Sequence, residues 1–361
     1  MLLFDIEKTS VWEVLQSTKE PIIMYGTGNG ADKVFEVFER LDITVSGVTA
    51  SDGFVRDRYF HGFKVTPISE YLEKYEKFIV IITFGSSRPE VIEGIKNLAK
   101  KQTVLVPCVP VIENEIFDRK FLTENEEKLN EAYSLLADEK SKEVFKNYVN
   151  FQFSGKLEYL FNMESDISDA FNNYLKLGEN ESFIDIGAYR GDTVEQFLHF
   201  SNGKYNNILA LEPDGKSYKK LLENCNDLKN FEAINGAVTK TAGTVEFTNV
   251  AGRQSTIGSG TETPAFTLDK LSEKFSPSYI KIDAEGAEID ILNGGEKLLC
   301  EHKPKLKIAT YHKNRDIFEI PVLLKKFNKN YKIYMCHHPY IPAWDTDFYC
   351  VWGAKWKKLK I

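Results

Sequence analysis

Four side chains stand where acid–base chemistry could be done. Asp283 closes the apolar run "YIKID", His312 closes "KIATYH", and His337 and His338 close "YKIYMCHH". A carboxylate beside an imidazole can orient a hydroxyl and accept its proton, so His312 is the expected general base, with Asp283 as its partner. An imidazole titrates near ~6.5 and serves as a base only when neutral. His337 and His338 point to opposite faces of a strand, so at most one of them lines a pocket, and His337 is the candidate. Plainer readings stand beside these. Asp283 can cap a helix expected from Gly286, and Glu285 and Glu288 in its first turn suit the helix dipole. Asp283, Glu285 and His312 would also offer Mg²⁺ or Mn²⁺ an oxygen-rich ligand set, which is the minority reading; no metal is assigned.

A second constellation lies upstream. In "ESFIDIGAYRGDT" an apolar strand runs into a bend from Gly187 to Gly191, and a helical pattern follows from Val194. Glycine lets a backbone approach a ligand, and the following helix offers free N–H groups. The spacing is Gly-x-x-x-Gly rather than the dinucleotide Gly-x-Gly-x-x-Gly, a wider bend that suits a zwitterionic amino-acid tail. The next strand, "LALEPD", puts Glu212 at its end, where a carboxylate can accept from both hydroxyls of a ribose. The third ends in "INGAV", whose small residues leave room for an adenine face. This ordered set describes an S-adenosylmethionine pocket. Its expected lining is Asp185, Gly187, Ala188, Gly191, Asp192, Thr193, Glu212, Pro213, Asn235, Gly236, Ala237 and Asp283.

Strand ends converge on one rim only in a doubly wound sheet, and the sequence patterns supply two. In the first, "PIIMYG", "ITVSGVTA", "FIVIITFG" and "TVLVP" alternate with helical patterns such as "ADKVFEVFERL", with Val34, Val37, Phe38 and Leu41 on one face. Residues 112–178 read as helical throughout, a connector or lid, with Thr123 and Glu126 as a capping box and Asp138 capping a second helix. Strands then return at "FIDIG", "NILALEP", "FEAINGAV", "TVEFTNV", "YIKIDAEG", "KLKIATYH", "YKIYMCHH" and "FYCVWGA". The polar loop "GRQSTIGSGTETP", Gly252 to Pro264, reads as a segment that closes over a substrate. The expected fold is α/β: a Rossmann-like domain over 1–111, the helical connector over 112–178, and a class I methyltransferase sheet over 179–361.

On these residues the chain resembles the FkbM family of S-adenosylmethionine-dependent methyltransferases. The matching stretches are "FIDIGAYRGDT", "LEPD", "TLDKL", "YIKIDAEGAEIDILNGGEKLL" and "YHKNRDIFEIPVLL", with "KIDAEGAE" the most specific. The resemblance covers the second α/β domain and extends weakly to "LADEKSKEVF" and to an N-terminal Rossmann-like domain that some members carry. It implies methylation of a hydroxyl on a carbohydrate, a nucleotide-sugar or a secondary metabolite, and a place in glycan biosynthesis. Cys336 in "MCHHPY" stands where the family pattern implies arginine.

A rival reading starts from "MYGTGNGA". Gly26, Gly28 and Ala31 form a Gly-x-Gly-x-x-Ala pattern between strand and helix, and Asp52 stands about where a ribose-binding acid would be. That arrangement fits an NAD(P)-dependent sugar oxidoreductase, or a nucleotide-sugar-binding module fused to the methyltransferase. No Tyr is followed four residues later by Lys, the acid–base pair common in sugar reductases.

Composition narrows the partners. A net charge of −7 argues against nucleic acid. The five cysteines form no CxxC pair, which argues for reduced thiols and a cytoplasmic setting. The N-terminus lacks a signal-peptide pattern, and no run reaches the ~20 apolar residues that span a bilayer. The expected partner is a small-molecule or glycan substrate, with a homo-oligomer left open.

Overall fold

The structure is a computed structural model that describes residues 1–51, 55, 57–110, 112–247 and 261–353. The chain forms two compact units. The first holds Met1–Glu127, Glu143–Glu164 and His337–Asp345; the second holds Lys128–Lys142, Ser165–Cys336 and Thr346–Ile361.

Six strands make the sheet of the first unit: β1 Ile22–Tyr25, β2 Gly47–Ala50, β3 Tyr59–Phe60, β4 Phe63–Pro67, β5 Ile79–Ile82 and β6 Thr103–Leu105, in the order β3-β4-β2-β1-β5-β6. All neighbours pair in parallel except β3 with β4. Central parallel strands are covered on both faces, which is why β2 and β5 are buried along their whole length. The helix Asn29–Arg40 packs Ala31, Val34, Phe35, Val37 and Phe38 into the core, the spacing of one helical face. Leu41, placed on that face from the sequence, is instead the C-cap residue and only partly buried.

Two local expectations change. A helix at Val11–Ser17, absent from the sequence reading, starts at a capping box formed by Ser10 and Glu13. Thr123 caps nothing: it lies inside the helix Arg119–Glu124, where its hydroxyl donates to the Arg119 carbonyl at 2.8 Å. Asp118 caps that helix through the Phe121 N–H. Asp138 does cap as expected, accepting from Ser141 N–H at 2.8 Å.

The second unit holds a seven-stranded sheet. Its strands are β7 Ser182–Ile186, β8 Asn207–Leu211, β9 Phe231–Ile234, β13 Tyr279–Ile282, β14 Lys305–Ala309, β15 Tyr331–His337 and β16 Thr346–Trp352, ordered β15-β16-β14-β13-β7-β8-β9. β14, β13, β7, β8 and β9 run parallel, and β16 is antiparallel to β14. Strand order reverses at β7, so the ends of β7 and β13 flank the switch point, where sheets of this kind place their ligand crevice. Below it, Phe183 stacks on Tyr279 at 4.8 Å and on Phe197 at 4.5 Å, fixing β7, β13 and the helix Asp192–Phe200 together. Each such ring buries apolar surface worth about 1.5–3 kcal/mol.

A small second sheet joins β10 Ala237–Val238, β11 Gly243–Phe247 and β12 Thr261–Phe266 in the order β10-β12-β11. β12 corrects the loop reading of Gly252 to Pro264: Thr261–Pro264 belong to a strand that pairs antiparallel with β11. The remainder of that stretch, 252–260, lies outside the described residues. Among the described residues, no helix is long and apolar enough to cross a membrane.

Candidate active site

The turn after β7 is held from three sides. Gly187 has φ +74°, and a Cβ there would overlap the Asp283 carbonyl oxygen, so only glycine fits. Gly187 and Ala188 N–H both donate to the Leu211 carbonyl at 3.0 Å. Gly191, φ +94°, leads into the helix Asp192–Phe200, and a Cβ there would sit 2.9 Å from Cys225 Sγ. Asp185 is fully buried, and its Oδ2 accepts from the Thr193 hydroxyl. Burial outweighs Lys281 and Thr193 and raises the Asp185 carboxyl above its ordinary range.

Glu212 joins this turn to the next. One of its oxygens accepts from Tyr189 N–H and the other from Asp214 N–H, each at 2.8 Å. Asn235 closes the third side, donating to the Glu212 and Pro213 carbonyls at 2.8 and 3.0 Å. Gly236 and Ala237 follow, both buried, and a Cβ on Gly236 would lie 2.8 Å from the Phe266 ring. The three strand-end pieces read from sequence are therefore hydrogen-bonded into one rim. Glu212 is 7% exposed, and burial pushes its carboxyl up to about 7, partly offset by the two backbone donors. Each of its oxygens keeps a lone pair that a diol could use.

The acidic end of the crevice is organised by buried charges. Lys281, 3% exposed, donates to the Gly187 carbonyl at 2.7 Å and lies 3.4 Å from Asp185 and 3.7 Å from Asp283. Asp283 keeps 35% of its side chain exposed and accepts from the Tyr311 hydroxyl at 3.3 Å. Burial opposes its ionisation, but Lys281 and then His312 prevail and hold its carboxyl below the ordinary range. Asp283 does not cap the following helix, whose N-cap is Ala287. Glu288 reaches back instead and accepts from Ala284 N–H at 2.8 Å.

His312 is 2% exposed, with Nδ1 at 3.0 Å from Glu288 and Nε2 at 3.5 and 3.6 Å from Asp283 and Glu285. Burial alone would push its pKa down; the Glu288 carboxylate, then Asp283 and Glu285, overturn that and raise it to about 10. The neighbouring acids therefore favour the protonated imidazole, which speaks against the neutral base expected from the sequence. Asp283, Glu288 and His312 could each offer a ligand atom to a metal ion, all within 4.8 Å of one another. A cation there would have to displace the imidazolium proton.

Residues 185–333 match the methyltransferase FkbM domain. The chain carries a methyltransferase FkbM domain. The matched span includes Asp185, Gly187, Glu212, Asp283 and His312 and ends before His337. A methyltransferase FkbM from Methylobacillus flagellatus KT has a similar fold, with 19% identity, 96% of this chain and 94% of that one covered, and a TM-score of 0.72. Aeropyrum pernix fibrillarin, solved with natively bound S-adenosyl-L-methionine, is more distant: 12% identity, 48% and 67% coverage, and a TM-score of 0.30. No curated protein matches the chain.

Outside the FkbM domain, His337 belongs to the first unit and is fully buried; burial, then His338, lower its pKa to about 3. His338 is 3% exposed in the same unit. In that unit Gly28 is the N-cap of the helix Asn29–Arg40 and Ala31 is buried beneath it, while Asp52 lies outside the described residues. The sequence reading missed Lys281 as a functional residue and gave Glu288 only a dipole role. A lysine in the middle of the apolar strand "YIKID" was the available signal.

Proposed function

We propose that the protein is an S-adenosylmethionine-dependent O-methyltransferase acting on a hydroxyl of a carbohydrate, a nucleotide-linked sugar or a secondary metabolite. The observation that carries this is the joined rim: the Gly187–Gly191 turn, Glu212 and Asn235 are tied together, and Lys281 links the turn to the partly exposed Asp283 carboxylate. The residues fit the cofactor. Gly187 lets its turn lie against the Asp283 carbonyl, where a Cβ would collide, and Glu212 has lone pairs free for a ribose diol. S-adenosylmethionine, when bound, supplies the methyl group.

Methyl transfer to oxygen is an in-line displacement in which a C–O bond forms, a C–S bond breaks and the hydroxyl loses its proton. Positioning is most of what a protein contributes to it. Asp283 accepts the hydrogen bond of the acceptor hydroxyl, orients its oxygen and takes its proton toward solvent. His312 is a positioning residue: its imidazolium, anchored on Glu288, faces Asp283 from below. Tyr311 donates to the same Asp283 oxygen.

Calorimetry with S-adenosylhomocysteine and, in parallel, with NAD⁺ tests the reading. Binding of the first without the second is expected. Absence of heat with S-adenosylhomocysteine at millimolar ligand overturns the reading, and heat with NAD⁺ alone favours the oxidoreductase. The acceptor class is checked by untargeted mass spectrometry of a deletion strain, which should show a glycan or metabolite lighter by one methyl. Loss of methyl from a protein or nucleic acid instead would overturn that class.

A further inference from the structure

Lys281 sits mid-strand in β13, in register with Asp185 on β7 and Lys307 on β14. Lys307 is itself 8% exposed and lies 3.0 Å from Asp347. The centre of the sheet thus carries two buried ion pairs side by side. An ammonium is costly to bury unless its charge and donors are met. An apolar side chain would fill the same volume on a central strand without that cost, so packing does not explain a lysine here.

Its contacts do. The ammonium donates to the Gly187 carbonyl at 2.7 Å, lies 3.4 Å from the Ile186 carbonyl and from Asp185 Oδ1, and stands 3.7 Å from Asp283 Oδ2. The first three groups belong to β7 and its turn. The fourth is the carboxylate that faces the crevice.

We propose that Lys281 is a positioning residue for methyl transfer, holding the Gly187 turn and the Asp283 carboxylate at a fixed spacing through one ammonium group. This rests on the reading that the turn receives S-adenosylmethionine and Asp283 the acceptor. Reacting atoms in a displacement must be held near contact, and a misplacement of about 1 Å can cost roughly 10²-fold in rate. Lys281 sets the distance between the two sides without touching either reactant. It also keeps Gly187 where no side chain could follow, against the Asp283 carbonyl.

The test compares wild type, Lys281→Met and Lys281→Arg by calorimetry with S-adenosylhomocysteine and by amide hydrogen exchange. Lys281→Met should weaken binding roughly tenfold or more, because the turn loses the charged hydrogen bond that holds it and must be ordered on binding. It should also speed exchange at Gly187–Gly191 while β8, β9 and β14 keep their protection. Lys281→Arg, which retains a cation, should recover most of the affinity. If Lys281→Met does not fold, Lys281→Gln, a shorter neutral donor, is read the same way. Unchanged affinity, or exchange raised evenly across the unit, overturns the proposal and leaves Lys281 a scaffold charge. A wild-type protein that binds no S-adenosylhomocysteine overturns the functional reading and this proposal together; wild-type binding with equal binding by the variants overturns this proposal alone.

Discussion

Glu288 Oε1 and His312 Nδ1 lie 3.0 Å apart, and both side chains are buried from solvent. This pair favours the protonated form of a side chain that the sequence suggested as a proton acceptor. Asp316, also buried, stands on the following helix; burial first, and the Glu288 charge next, push its carboxyl well above the ordinary range. His312 thus stands among carboxylates of unequal ionisation, of which Asp283 and Glu285 are partly exposed.

His312 makes a prediction about stability. Its folded pKa, about 10, lies above the unfolded value. Its contribution is therefore complete below about 6.5, the unfolded value, and is lost as pH rises through the folded one. Urea unfolding of wild type and His312→Gln across that window should show the gap between them shrinking with rising pH. A gap of constant size would mean that the imidazole is neutral in the fold.

Glu212 makes one about ligand affinity. Its carboxyl is raised to about 7, and a diol donates to the ionised form. The dissociation constant for S-adenosylhomocysteine should rise as pH falls, by up to about tenfold per unit below the folded value. Glu212→Gln should bind more weakly and respond less to pH. Glu212→Ala should lose about 1–3 kcal/mol, two hydrogen bonds' worth. A flat wild-type profile in calorimetry would remove Glu212 as the diol acceptor.

Gly187 makes one about shape. Gly187 and Gly203 both have left-handed backbones, φ +74° and +69°, but only at Gly187 does a Cβ meet another atom. Gly203→Ala should cost about 1–2 kcal/mol from the backbone alone. Gly187→Ala should cost more in thermal melting and should abolish S-adenosylhomocysteine binding, because the turn must move off Asp283. Equal losses for the two variants would show that the close approach is not needed.

The central strands of the second unit were legible where a short apolar run marks them, as in "NILAL". The placement of Gly187 and Glu212 just past strand ends was legible from the apolar runs before them. β12 was not: "TETPAF" buries Thr263 and Ala265 and exposes Glu262 and Pro264, an alternation written in small and polar residues. Nor was the charge state of His312. It depends on Glu288, which looks from sequence like any first-turn acid and becomes a partner only once the chain after β13 bends back. The capping box at Thr123 misled because Asp118 starts its helix earlier.

The two units are interleaved along the chain, and that limits their modularity. A fragment beginning at residue 179 would lack Lys128–Lys142 and the start of the Ser165–Cys336 segment, both parts of the second unit. A fragment ending at residue 111 would lack Glu143–Glu164 and His337–Asp345, both parts of the first. No single cut separates the two, so the first unit is complete only after every strand of the seven-stranded sheet except β16 has been synthesised.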